Sequence, residues 1–175
     1  MTTQPKLPPA FNSEAEEIDA AQTMPEIYVD ADACPVKDEV LKVAERHDLK
    51  TIMVSDGGIR PHPSPRVKVV VVAQGADAAD NWIADTIQAG DIVITNDIPL
   101  ADRCMKNGAG AIRPNGQTFN ENSIGMALAT RDLMTSMRAA GQITSGPPPF
   151  SKQDRSRFLQ ALHMAIQQSS ARRSR

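Results

Sequence analysis

The sequence predicts an α/β protein: a doubly wound, mainly parallel sheet of four to five strands with helices over both faces. Short β-branched apolar runs alternate with segments of helical spacing from Glu26 onward, the order that builds βαβ units. One of those runs, Val67–Ala73, is nearly all valine, the pattern of a strand buried on both sides. The chain has 175 residues, of which 41% are hydrophobic and 23% charged. That suits one domain with a core large enough to need no staples.

The elements follow in order. Ile27-Tyr28-Val29 is a strand running into Asp30. Apolar residues at 36, 40, 41, 43 and 44 give a helix over 36–47, with Pro35 at or just before its first turn, where a missing N–H costs nothing. Thr51–Val54 is the second strand, ended by Asp56-Gly57-Gly58. Three prolines hold 59–65 in an extended loop before the valine run. A helix over 76–88 stops at Gly90, Ile92–Thr95 is the fourth strand, and a helix from about Pro99 to Lys106 closes on Gly108. Ala111-Ile112 suits a short fifth strand, and 123–140 a longer helix. After the break at Gly146-Pro147-Pro148-Pro149, Phe158, Leu159, Leu162 and Ile166 form the stripe of an amphipathic helix over 152–168.

Residues 1–25, Pro-rich and without periodicity, read as a flexible leader with net charge −3. The folded unit is expected over 26–168 and a basic tail over 169–175. Residues 151–175 carry net charge +5 against −2 for the whole chain, which excludes a general electrostatic preference for nucleic acid. No apolar run approaches the ~20 residues of a membrane helix, and the N-terminal residues lack the apolar core of a secretory signal. Two cysteines fit a reducing compartment, so a cytoplasmic location is expected.

In doubly wound sheets the loops at the carboxyl ends of the strands gather at one edge, where ligands bind. Asp30 and Asp32 follow the first strand, Asp77 and Asp80 the third, Asp97 and Asp102 the fourth. Any one of these has a plain explanation as a helix cap or turn former, which suffices for Asp38, Asp48, Asp56 and Asp91. Three acidic pairs at one edge repel unless a cation joins them, and Mg²⁺ or Mn²⁺ takes such oxygen ligands. All six are candidate metal ligands, with Asp30, Asp32, Asp80 and Asp97 as the catalytic set. Lys37 and Arg60 are placed to hold phosphate oxygens, and Ser55, Asn81 and Asn96 are further polar candidates for substrate binding.

The segments DADACPVK (30–37), GADAADNWI (75–83), TNDIPLA (95–101), RDLM (131–134) and GPPPF…DRSRF (146–158) resemble the uncharacterised bacterial YaiI/YqxD family over roughly residues 26–168. That family is assigned by similarity to the PIN-like superfamily of metal-dependent nucleases. The resemblance implies a three-layer α/β/α fold and divalent ions activating water for phosphodiester cleavage, with single-stranded RNA as the expected substrate. Carried over by residue, Asp30 and Asp97 match the acids ending strands one and four, and Asp80 or Asp77 the helical acid between them. Asn115 departs from the pattern, standing where PIN-like proteins commonly place a further acid; Asp102 is the available substitute.

Two rival readings use the same residues. Asp30 as nucleophile, Asp32 as general acid–base, Ser55 and the Asp97/Asp102 pair follow the motif order of haloacid-dehalogenase-type phosphatases, although Lys68 begins a strand at the wrong edge. A non-catalytic module binding nucleic acid or protein through a vestigial acidic site is the other. Cys34 and Cys104 read as small buried thiols, and Trp82 as core rather than a stacking platform. His47, His62 and His163, far apart in sequence, are expected to be exposed or capping.

Overall fold

A computed structural model describes residues 24–75, 77–143 and 149–173. The expected leader lies almost wholly outside these residues. Five parallel strands form one sheet: β1 (Ile27–Asp30), β2 (Thr51–Ser55), β3 (Val67–Val71), β4 (Ile92–Ile94) and β5 (Gly110–Ile112). The helices are α1 (Lys37–Arg46), α2 (Ala78–Thr86), α3 (Ile98–Lys106), α4 (Glu121–Ala139) and α5 (Lys152–Arg173), and a 3₁₀ turn (Ala31–Ala33) follows β1. Among the described residues no helix is long and apolar enough to cross a membrane.

Strand order is β3-β2-β1-β4-β5. The chain therefore winds outward from β1 through β2 to β3, then returns past β1 to build β4 and β5 on the other side. The winding reverses between β1 and β4, and a crevice opens beyond their carboxyl ends. Asp30 ends β1, and Asp97 follows β4.

Alternation along each strand sorts side chains into two layers. Ile27, Val29, Met53, Ile92 and Ile94 pack with Val36, Val40 and Val43 from α1 and its approach, and with Phe158, Leu162 and Ile166 of α5. Tyr28, Ile52, Val54 and Val93 face the other way, against Ile83 of α2 and Ile98, Leu100, Ala101 and Cys104 of α3. The fold is thus a three-layer α/β/α sandwich. Trp82 joins the second layer, its ring 6.3 Å from that of Tyr28.

Three expectations are corrected. The valine run is an edge strand instead of one buried on both faces, and Val71 is 62% exposed. Continuous β-branched composition reports the parallel pairing of β3 with β2 but not its place in the sheet. Leu159 leaves the buried stripe of α5 and is 37% exposed, because Phe158, Leu162 and Ile166, four apart, already define the inward line. His47 and His163 are brought together, Nε2 to Nδ1 at 2.9 Å, where α5 crosses the C-terminal end of α1. Burial first, then His163 and Arg46, lowers the His47 pKa.

Helix α5 is pinned at three places. The Arg155 guanidinium meets Glu39 at 2.8 Å and donates to the Pro35 carbonyl at 3.2 Å. The Ser169 hydroxyl donates to the Gly90 carbonyl, which extends order beyond the helix end expected at 168. Between them Gly116, at φ +90°, lies so close to α5 that a Cβ there would sit 2.6 Å from the Arg157 carbonyl carbon.

Candidate active site

Parity along β1 directs its terminal carboxylate. Tyr28 faces the α2/α3 layer, so Asp30, two residues on, points to the same side. That layer carries the other acids at helix starts: Asp77 precedes α2, Asp80 lies in its first turn, and Asp97 is the N-cap of α3. Asp97 Oδ1 accepts from the Leu100 amide at 2.8 Å, satisfying one of the donors that a helix start leaves orphaned. Thr95 links the two strand ends: its hydroxyl donates to Asp30 Oδ2 at 3.2 Å and accepts from the Asp97 amide at 3.0 Å.

The electrostatics couple these groups. Burial raises the Asp30 pKa, the Thr95 hydrogen bond partly offsets it, and the charges of Asp32 and Asp97 raise it further. Asp80 is pushed up to about 6, first by burial, then by Asp97, Asp30 and Asp77, with Arg103 acting against them. For Asp30 and Asp80, burial is the larger obstacle to ionisation and the charges of neighbouring carboxylates add to it. The Asp30, Asp77, Asp80 and Asp97 carboxylates form one electrostatic group, with Asp32 at its margin.

Asp32 is held at that margin. Its carboxylate accepts from the Ser55 hydroxyl at 2.5 Å and from the Asp56 amide at 3.0 Å. Ser55 is fully buried, and its hydroxyl orients Asp32 rather than facing a substrate. Asp102 turns along its own helix to Lys106 at 2.8 Å, away from the group. Among the remaining candidates, Asn81 accepts from Arg103 at 2.9 Å, so α2 and α3 are tied beside Asp80. Asn96 is exposed next to Asp97. Lys37 opens α1 near Cys34, and Arg60 is exposed in the loop after β2; neither side chain makes a hydrogen bond or ion pair among the described residues. Asn115 accepts from the Gln117 amide at 2.9 Å in a turn against α5.

The donor set is oxygen-only, the chemistry a hard divalent cation takes. Among the described residues, no three His, Cys, Asp or Glu side chains are arranged to hold a metal ion. The structure brings the acids into mutual repulsion without forming a finished coordination sphere. Both thiols are buried, as expected, and burial pushes Cys34 up to about 11 and Cys104 to about 12, so neither is a ready nucleophile.

Sequence reasoning missed Thr95, whose role exists only because β1 and β4 are neighbours. It also passed over Arg131 and Arg138, although their spacing of seven puts them on one face of a helix.

A family model described as an uncharacterised BCR, YaiI/YqxD family matches residues 28–168. A "UPF0178 protein" of Rhodopseudomonas palustris (strain TIE-1) is 60% identical over 148 residues, covering 85% of this chain and 94% of the relative. Relatives of the same name from Parvibaculum lavamentivorans and Paramagnetospirillum magneticum are 58% and 54% identical, over 82% and 83% of this chain and 95% and 97% of their own lengths. The matched segment contains both layers and every acid of the cluster, and the chain belongs to the YaiI/YqxD family of bacterial proteins.

Proposed function

We propose that the protein is a divalent-metal-dependent nuclease of the PIN-like type, hydrolysing phosphodiester bonds in RNA. The observation that carries this reading is the gathering of Asp30, Asp80 and Asp97, from β1, α2 and α3, on one side of the sheet beyond the ends of β1 and β4, where the charges of Asp30 and Asp97 add to burial in raising the Asp80 pKa. These three would hold Mg²⁺ or Mn²⁺, with Asp77 and Asp32 beside them. Such an ion supplies a bound water of lowered pKa and neutralises charge on a phosphoryl oxygen. The chain's own part is orientation. Thr95 fixes the Asp30 carboxylate, and the α3 N-terminus fixes that of Asp97.

The test is a panel of single-stranded RNA and DNA with Mg²⁺ or Mn²⁺ beside an Asp97→Asn variant, with cation binding followed by calorimetry. Cleavage by the parent that is lost in the variant supports the reading. Absence of both cation binding and cleavage overturns it. It would favour a non-catalytic binding module, a reading supported by the lack of a three-residue metal group among the described residues.

A further inference from the structure

Beside Asp97 the structure holds a groove of about 610 Å³ that the acid cluster does not explain. One wall is Asn96, Asp97 and Ile98 at the start of α3. The other is a single face of α4, including Arg131 and Arg138. Arg113, after β5, lies between them. Ile124 is the buried residue of α4, so most of this 19-residue helix meets solvent.

Three features identify what the groove would receive. Arginines at 113, 131 and 138 line it, and among the described lining residues Asp97 is the one carboxylate. The Asp132 partner of Arg131, at 3.2 Å, is an exposed neighbour in sequence, a pairing of little energetic weight. Arg113 Nε is buried without a hydrogen-bond partner, although its Nη1 donates to Gln117 at 3.0 Å and its guanidinium lies 5.7 Å from the Phe119 ring centroid. The Gln117 bond engages Nη1, and Nη2 of this groove-lining guanidinium makes no hydrogen bond among the described residues. Among the described lining residues none is aromatic, and the arginines favour recognition through phosphates.

We infer that this groove seats a single-stranded polynucleotide by its phosphates, with Arg113, Arg131 and Arg138 as positioning residues that lead the strand toward Asp97. The direction of the strand rests on the nuclease reading above; the binding does not. Charge complementarity favours a polynucleotide over a partner protein. Arg131 and Arg138 are exposed, so their replacement leaves the core intact.

The experiment measures anisotropy of labelled oligouridylate and oligothymidylate in EDTA, across about 50 to 200 mM salt. Three phosphate contacts on a single strand predict a log–log salt slope of about −2. Arg131→Gln and Arg138→Gln are each expected to flatten that slope by about 0.7 and weaken low-salt binding by roughly three- to tenfold. Asp97→Asn should bind as tightly as the parent or more so, because a repulsive charge is removed while Asn still caps α3. Unaltered melting by circular dichroism checks the fold of each variant. Undetectable binding by the parent, or equal binding by the arginine variants, overturns the inference. So does arginine-dependent self-association in sedimentation without polynucleotide binding. Arginine-dependent binding with no cleavage in Mg²⁺ or Mn²⁺ sustains the inference and sinks the nuclease reading instead.

Discussion

On one side of the sheet, α1 and α5 bury Val36, Val40, Phe158, Leu162 and Ile166, and the polar contacts there fasten α5 in place. On the other, α2 and α3 bury an equally apolar set but carry Asp77, Asp80 and Asp97 at their starts, crowded against Asp30. The Arg155–Glu39 pair and the Ser169–Gly90 hydrogen bond of the first layer attract, whereas the carboxylates at the helix starts of the second repel. Sites that bind cations store such opposition, because a ligand can relieve it. The difference gives α5 a fastening role and, on the proposed function, gives the α2/α3 edge the cation.

Substitutions can break that comparison from either side. The largest effect is expected from Asp97→Asn, which should lower metal-dependent RNA cleavage by at least about a hundredfold. Its melting temperature should hardly move, since Asn serves as well as Asp at an N-cap. Loss of stability along with activity would mean that Asp97 belongs to the scaffold. Gly116→Ala should do the reverse. Its φ is +90° and its Cβ would collide with the Arg157 backbone, so a loss of about 2–3 kcal/mol is expected in urea denaturation. Arg155→Ala removes the contacts to Glu39 and the Pro35 carbonyl. It should cost about 1 kcal/mol, an amount set by the partial exposure of the pair.

The smallest effect sharpens the electrostatic side. Asp80 titrates near 6 in the folded protein, above its ordinary carboxylate value. The native state therefore binds more protons than the unfolded chain, and stability falls as pH rises from about 4 to 6. Above pH 6 the Asp80→Asn variant should be more stable than the parent by about 1 kcal/mol, after allowance for solvent screening. Millimolar Mg²⁺ should raise the parent's melting temperature more at pH 7 than at pH 5. An equal rise at both pH values, or no advantage for the variant, would show that the acids do not strain one another.

Much of this architecture was legible because it is local. Valine and isoleucine runs, Pro35 and Pro99 near helix starts, and glycines at 90 and 108 mark the elements to within a few residues. The placement of Asp30, Asp77 and Asp97 at strand ends or helix starts follows from the same marks. What could not be read was which ends meet. Composition does not distinguish an edge strand from a central one, so the exposure of Val71 was hidden. Distance in sequence hid the contact of His47 with His163. Asp102 differs from Asp80 only in where its helix turns it, toward Lys106 rather than the other acids.

The chain's one-dimensional pattern sufficed for its class, its elements and the residue types at one sheet edge, because hydrophobic period and turn chemistry act over a few residues. The return of the chain past β1 chose the partners, setting Asp30 beside Thr95 and Asp97 and turning an arginine-bearing face of α4 toward them. Those choices depend on burial of the whole apolar surface at once, an energy that no short segment carries.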